Sequence, residues 1–236
     1  MNKNQKLPLA IVADILGTSK KVVNSWSENK FKPIIDKKTG KKFIHLDELR
    51  SFPSASFLFE TKWDEEEKIK PQRNYKIIEL FAGAGGLALG LEKAGFESLL
   101  LNEIDKDACE TLKKNRVNWN VKNCDIKEYD FTKFKGEVDL LTGGFPCQAF
   151  SYAGKKLGFN DTRGTLFYEF ARAVKETNPK VILAENVKGL VSHDSGKTLE
   201  TIKNIIDEIG YELVEPETLK AIFYKVPQKR ERIFLV

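Results

Sequence analysis

The sequence predicts a doubly wound α/β fold with a mainly parallel sheet, preceded by a small separate module. Three observations predict it. From Tyr75 onward, short apolar runs alternate with segments of helical spacing, the pattern of a parallel sheet covered on both faces. Glycines fall where these segments end, after strands at Gly83 and Gly143 and after helices at Gly95 and Gly210. Residues 1–50 differ in charge, with 11 basic and 5 acidic side chains, a surplus of six.

The N-terminal module spans residues 1–52. Ala10 to Leu16 has helical spacing of apolar residues, Gly17 stops it, and Thr18 or Ser19 can cap the next helix. That helix, Lys20 to Trp26, carries basic and amide side chains beside apolar anchors. Ile34-Ile35 and Lys41 to His45 flank Asp36-Lys37-Lys38-Thr39-Gly40, which predicts a β-hairpin, and a short helix from Asp47 to Phe52 completes the module. Helix, tight turn, helix and basic wing resembles the MerR/excisionase type of winged helix-turn-helix. The resemblance implies a hold on duplex DNA; a small helical cap with a solvated charged face is the alternative. Residues 53–74 read as a linker, although Phe57, Leu58, Phe59 and Trp63 are apolar enough to dock on a neighbour.

In the remainder, Tyr75–Leu80 reads as a strand, Ala82–Gly86 as a glycine-rich turn and Leu87–Ala94 as a helix. Ser98–Leu101 is a strand, Asp107–Asn115 a helix and Val138–Leu141 a strand. Leu166–Lys175 is helical, Lys180–Ala184 a strand, Leu199–Ile209 a helix, and Arg232–Val236 a further strand.

Composition narrows the classes. With 236 residues, 41% hydrophobic and 31% charged, the chain has enough apolar content for a core. No apolar run approaches the roughly 20 residues that span a bilayer, so no membrane association is expected. Three cysteines (Cys109, Cys124, Cys147) at unrelated spacings and two histidines argue against a zinc site and for reduced thiols in a cytoplasm. A net charge of +5 permits a polyanionic partner.

Two stretches carry chemistry. Phe81-Ala82-Gly83-Ala84-Gly85-Gly86 follows the first strand and opens a helix, so its backbone can approach a ligand closely. Gly83, Gly85 and Ala88 fit the loose dinucleotide pattern. Glu103, at the end of the second strand, is placed to grip ribose hydroxyls, and Asp125 to face an adenine amine. That predicts an adenosine-containing cofactor; the glycines alone leave NAD and S-adenosyl-L-methionine open. The second stretch, Gly143 to Ser151, follows an apolar strand, and Pro146 fixes the backbone before Cys147, where an open α/β sheet places its chemistry. Residues 148–163 form a polar, glycine-punctuated loop suited to a lid.

Four motifs then occur in order: Phe81 to Gly86, Pro146-Cys147-Gln148, Glu185-Asn186-Val187, and Gln228-Lys229-Arg230-Glu231-Arg232. From about Tyr75 to Val236 the chain resembles the C5-cytosine DNA methyltransferase family, of the bacterial restriction–modification type. The resemblance implies a class I, Rossmann-like methyltransferase domain over 75–236, S-adenosyl-L-methionine as cofactor and double-stranded DNA as partner. It makes Cys147 the nucleophile at cytosine C6, active as its thiolate. Glu185 would hydrogen-bond N3 and the exocyclic amine, with Arg230 and Arg232 beside the flipped nucleotide. On the cofactor it places Phe81, Ala82, Gly83, Gly85, Gly86, Glu103, Ile104, Asp125, Ile126, Pro146 and Leu166. On the DNA it places Gln148, Ser151, Arg163, Asn186 and Gln228.

Family enzymes continue past the last of these motifs into a target-recognition region and two further motifs. The chain is therefore expected to be a fragment, or one subunit of a split enzyme whose partner brings the rest, and to methylate weakly or not at all alone. The N-terminal module suggests repression at the enzyme's own promoter. Two other readings stand beside this one: a tRNA cytosine-5 methyltransferase, and a DNA-binding regulator with a vestigial enzyme domain.

Overall fold

The computed structural model describes residues 5–26, 29–60, 65, 68–146, 165–224, 228 and 230–236. The chain divides into two compact units, Met1–Lys68 and Ile69–Val236.

The first unit contains β1 (Lys6–Pro8), α1 (Leu9–Ile15), α2 (Lys20–Trp26), β2 (Ile34–Ile35), β3 (Lys42–His45), 3-10 segments at Leu46–Ser51 and Pro53–Ala55, and α3 (Phe57–Glu60). Helix α1 buries Leu9, Val12, Ala13 and Ile15. Gly17 then turns the chain with φ +64°. The Ser19 hydroxyl accepts the Val22 N–H at 3.3 Å, so Ser19 rather than Thr18 caps α2. The hairpin turn is closed by Asp36, whose carboxylate accepts the N–H groups of Lys38 and Thr39 at 3.0 and 2.8 Å. Strand β1 was not expected. It pairs antiparallel with β3, and three residues ending in proline are too few to show alternation.

Residues 53–60, expected in a linker, belong to this unit. Ala55 and Leu58 are buried, and the preceding Phe52 stacks on Phe31 at 5.3 Å. The compact unit runs to Lys68, and Ala55 and Leu58 of that stretch join its small core.

The second unit runs β4 (Tyr75–Leu80), α4 (Gly86–Lys93), β5 (Phe96–Glu103), α5 (Lys106–Asn115), β6 (Val121–Asn123), β7 (Leu140–Gly143), α6 (Leu166–Thr177), β8 (Val181–Val187), α7 (Lys197–Glu208), β9 (Glu217–Lys220) and β10 (Glu231–Leu235). Its strands lie in the order β6-β5-β4-β7-β8-β10-β9. The first five in that order pair in parallel, and β10 is antiparallel to both β8 and β9.

Neighbouring residues on β5 point to opposite faces. Leu100 joins Phe167, Phe170, Val174, Ile202 and Ile205 of α6 and α7. Leu101 joins Ala88, Cys109 and Leu112 of α4 and α5. Helices thus cover both faces, and strand order reverses between β4 and β7. A doubly wound sheet opens its ligand crevice there, at the strands' carboxyl ends. Among the described residues, no helix is long and apolar enough to cross a membrane.

Two strands of this unit also went unread in the sequence. β6 has three residues with two of them exposed, and β9 is an outer strand paired only with β10. The structure also corrects the placement of Glu185, expected just past a strand. β8 continues to Val187 because β10 supplies an antiparallel partner, with Phe234 opposite Glu185.

Candidate active site at the carboxyl ends of the sheet

The first wall is the turn after β4. Phe81 leaves the strand with φ +57°, a left-handed conformation rare for a bulky side chain. Gly83 and Gly85 follow at +53° and +89°. A Cβ on Gly85 would lie 2.6 Å from Leu112 Cδ2, so the turn is packed on one side. Around a Cβ at Gly83 or Gly86 there is nothing within 4 Å. Helix α4 opens at Gly86 with glycine as its N-cap and no capping side chain, which leaves first-turn N–H groups for a ligand or water.

Glu103, at the end of β5, is tied to this turn. Its Oε2 accepts the Gly83 N–H at 2.7 Å and its Oε1 the Asp105 N–H at 2.8 Å. Each carboxylate oxygen retains accepting capacity for a hydroxyl. The next residue, Ile104, is 66% exposed, an apolar face beside that carboxylate. Asp125, half-buried after β6, accepts the Lys127 N–H at 3.0 Å and caps a single helical turn. Open glycines, a free helix start, a carboxylate and an apolar flank together fit an adenosine-bearing group. Ala82 is buried in the turn. Ile126, the residue after Asp125, is 3% exposed and sits in the core.

The second wall is the end of β7. A Cβ on Gly143 would stand 2.7 Å from the Leu80 carbonyl oxygen, so only glycine lets β7 lie this close to β4. One on Gly144 would stand 3.1 Å from Glu185 Oε2. Phe145 is buried, with ring centroids of Phe167 and Phe170 at 5.0 and 5.6 Å, and Pro146 emerges exposed. Cys147, Gln148, Ser151 and Arg163 lie outside the described residues. Beyond them Thr165 caps α6 by accepting the Tyr168 N–H at 3.0 Å, and Leu166, its first residue, packs at the rim of the core.

The third wall is β8 with the start of β10. Glu185 Oε1 pairs with Arg230 Nη2 and with Arg232 Nε, both at 2.9 Å. Both guanidinium groups therefore converge on one carboxyl oxygen, while the other faces Gly144. Asn186 is 4% exposed. Its Nδ2 donates to the Phe145 carbonyl at 2.8 Å and its Oδ1 accepts the Val187 N–H at 2.8 Å. It braces the main chain of the second wall. Gln228 is exposed, and its carbonyl accepts the Arg230 N–H at 3.0 Å.

One residue escaped sequence reasoning. Glu79, within β4, is 3% exposed, and its Oε2 has no hydrogen-bond partner among the described residues. Burial pushes its carboxyl up to about 8. The available signal was an acid inside an apolar strand, two residues before Phe81.

Comparison with known proteins agrees with this geometry. Residues 75–236 match the family model described as C-5 cytosine-specific DNA methylase. The chain is 59% identical to the Type II methyltransferase M.Eco47II of Escherichia coli over 98% of its own length and 56% of the relative's. It is 57% identical to the Type II methyltransferase M.PspPI of Psychrobacter sp. (strain TA137), over 96% of this chain and 55% of that one. The chain therefore spans about half the length of these curated relatives, and both matches take in residues of the N-terminal unit. Among solved structures, a Spodoptera frugiperda DNMT2 variant superposes with a TM-score of 0.54 at 26% identity, covering 69% of this chain and 49% of that one. The sheet order, the crevice at its switch point and the match over residues 75–236 lead to one assignment: the chain belongs to the C-5 cytosine-specific DNA methylase family.

Proposed function

We propose that the protein is the modification methyltransferase of a restriction–modification system, transferring a methyl group from S-adenosyl-L-methionine to C5 of cytosine in duplex DNA. The observation that carries this reading is the pairing of Glu185 with both Arg230 and Arg232, against Gly144, three residues before Cys147. Those residues come from motifs about 40 apart in sequence, yet they meet at one strand end.

S-adenosyl-L-methionine, when bound, supplies an electrophilic methyl group. Gly83, Gly85 and Gly86 give it backbone access, Glu103 accepts from its ribose, Ile104 flanks the adenine ring and Asp125 accepts from the adenine amine. Cytosine C5 is a weak nucleophile, so Cys147 first adds to C6 as its thiolate, and the electron pair released onto C5 takes the methyl group. Loss of the C5 proton and β-elimination then return the thiolate. Glu185 hydrogen-bonds the N3 edge and exocyclic amine of the ring, favouring its activated form. Arg230 and Arg232 hold that carboxyl and the nucleotide beside it, fixed by planar guanidinium forks. A paired base is out of reach, so the cytosine must leave the stack, at a cost of a few kcal/mol. Gln148, Ser151, Arg163 and Gln228 serve the DNA side.

We also infer that residues 1–52, within the first unit, form a winged helix-turn-helix that holds duplex DNA. Exposed Lys20, Lys21, Asn24 and Ser25 lie along α2, and exposed Lys37, Lys38 and Lys41 lie around the Asp36 turn. DNA affinity should fall steeply with salt and weaken when Lys37 and Lys38 become glutamates; affinity insensitive to both would refute it.

The test of the enzymatic reading is transfer of tritiated methyl to duplex DNA, with the region that completes the family pattern supplied on the same or a separate polypeptide. Label recovered as 5-methylcytosine supports the assignment. Label in tRNA but not DNA, or in neither, overturns it.

A further inference from the structure

The stretch between β6 and β7 contains only two single-turn 3-10 segments, Ile126–Glu128 and Thr132–Phe134, yet it is anchored by one side chain. Arg172, in the middle of α6, donates from Nη2 to the Ile126 carbonyl at 2.7 Å and from Nη1 to the Tyr129 carbonyl at 3.2 Å. The same guanidinium is held from its own helix by Glu169 and Glu176, each at 2.7 Å. Glu176 completes the set: its Oε2 accepts the Phe131 N–H at 3.0 Å. These side chains are only 21%, 10% and 22% exposed, so solvent screens them little.

Charge pairs spaced three and four along a helix ordinarily contribute a few tenths of a kcal/mol to the helix itself. Here the pairs do something else. They aim a rigid planar fork at two main-chain carbonyls of another segment, a geometry that a lysine ammonium cannot reproduce. The carbonyl it holds most tightly, that of Ile126, is one residue from Asp125. Asp125 in turn caps the turn that Ile126 begins.

We propose that Arg172 is a positioning residue for the adenine side of the cofactor pocket, fixing Ile126–Phe131 so that Asp125 meets the exocyclic amine. The inference rests on the assignment of Asp125 made above. It couples the adenine wall to α6, whose first turn carries Leu166.

The test uses the full chain and two ligands, S-adenosyl-L-homocysteine and S-inosyl-L-homocysteine, in which an oxo group replaces the amine and N1 carries a proton. Calorimetric titration of the wild type should show a preference for the adenosyl ligand of about tenfold, from one charge-assisted hydrogen bond. Asp125→Ala should erase it. Arg172→Ala should bring the preference to within about threefold of the Asp125→Ala value, while affinity for the inosyl ligand stays within about twofold of wild type. Arg172→Lys keeps the charge for Glu169 and Glu176 but loses the fork, so it should show the same loss even where the alanine variant does not fold. An unchanged preference in Arg172→Lys, or equal loss of affinity for both ligands, overturns the proposal. An unchanged preference in Asp125→Ala, or no binding to the wild type, instead overturns the assignment on which it stands.

Discussion

The two ends of the central sheet are built in opposite ways. At the amino end, Asp139 accepts from Arg73 and Lys180 at 2.9 and 2.8 Å and from the Lys76 N–H at 2.9 Å. Those donors hold its carboxyl well below the usual range and tie together the starts of β4, β7 and β8. At the carboxyl end, Glu79 is buried with an unpartnered oxygen, Phe81 is left-handed, and Gly83 faces open space. The Asp139 cluster pairs every charge it gathers; the opposite end leaves a carboxyl oxygen without a partner among the described residues and holds a bulky side chain left-handed. Strain and orphaned groups persist where function requires them, and the well-paired end offsets their cost.

The sharpest way to break that comparison is Glu185→Gln. At the functional end an altered side chain should change rate far more than stability. Methyl transfer should fall by about 100-fold or more, the scale of losing one activating group, while the thermal midpoint moves little. A large drop in midpoint with activity retained would make the cluster structural. Gly143→Ala tests the contact between strands. Its Cβ would meet the Leu80 carbonyl, and destabilisation of about 3 kcal/mol in denaturant unfolding is expected, because backbone cannot yield as a side chain would.

At the other end, Asp139→Asn should cost about 2 kcal/mol at neutral pH and leave ligand affinity unchanged. The sign follows from the depressed carboxyl. Its contribution is complete above the unfolded value of 3.8 and is lost as pH falls below it, so wild type and variant should converge in acid. Glu79 has the opposite sign. Its folded value of about 8 lies above the ordinary 4.5, so the native state holds a proton that the unfolded chain releases. Stability should therefore decline as pH rises from 4.5 to 8, and Glu79→Gln should flatten that decline. An unchanged slope would mean that Glu79 is charged in the folded protein.

Much of this architecture was legible because local patterns announce it. The apolar run Ile77-Ile78 before the glycine turn, and Leu140-Leu141 before Gly143-Gly144, mark strands by composition and their ends by backbone freedom. Glu103 and Glu185 could be picked out because acids at strand ends stand out against apolar runs. What stayed hidden depends on partners distant in sequence. β8 runs past Glu185 because β10 backs it, and the Asn186 amide holds the Phe145 carbonyl, 41 residues away. Arg172 reads as an ordinary helical ion pair; nothing in its spacing reveals the carbonyls of Ile126 and Tyr129 across from it.

The measurement that bears most directly on the central claim is covalent trapping with duplex DNA containing 5-fluorocytosine, in which elimination is blocked after methyl transfer. With S-adenosyl-L-methionine and the remainder of the family pattern supplied, the account predicts a DNA–protein adduct that maps to Cys147 and disappears in Cys147→Ser. The other two thiols, Cys109 and Cys124, are pushed up in pKa by burial and should not react. An adduct at either of them, or none at all, would contradict the account.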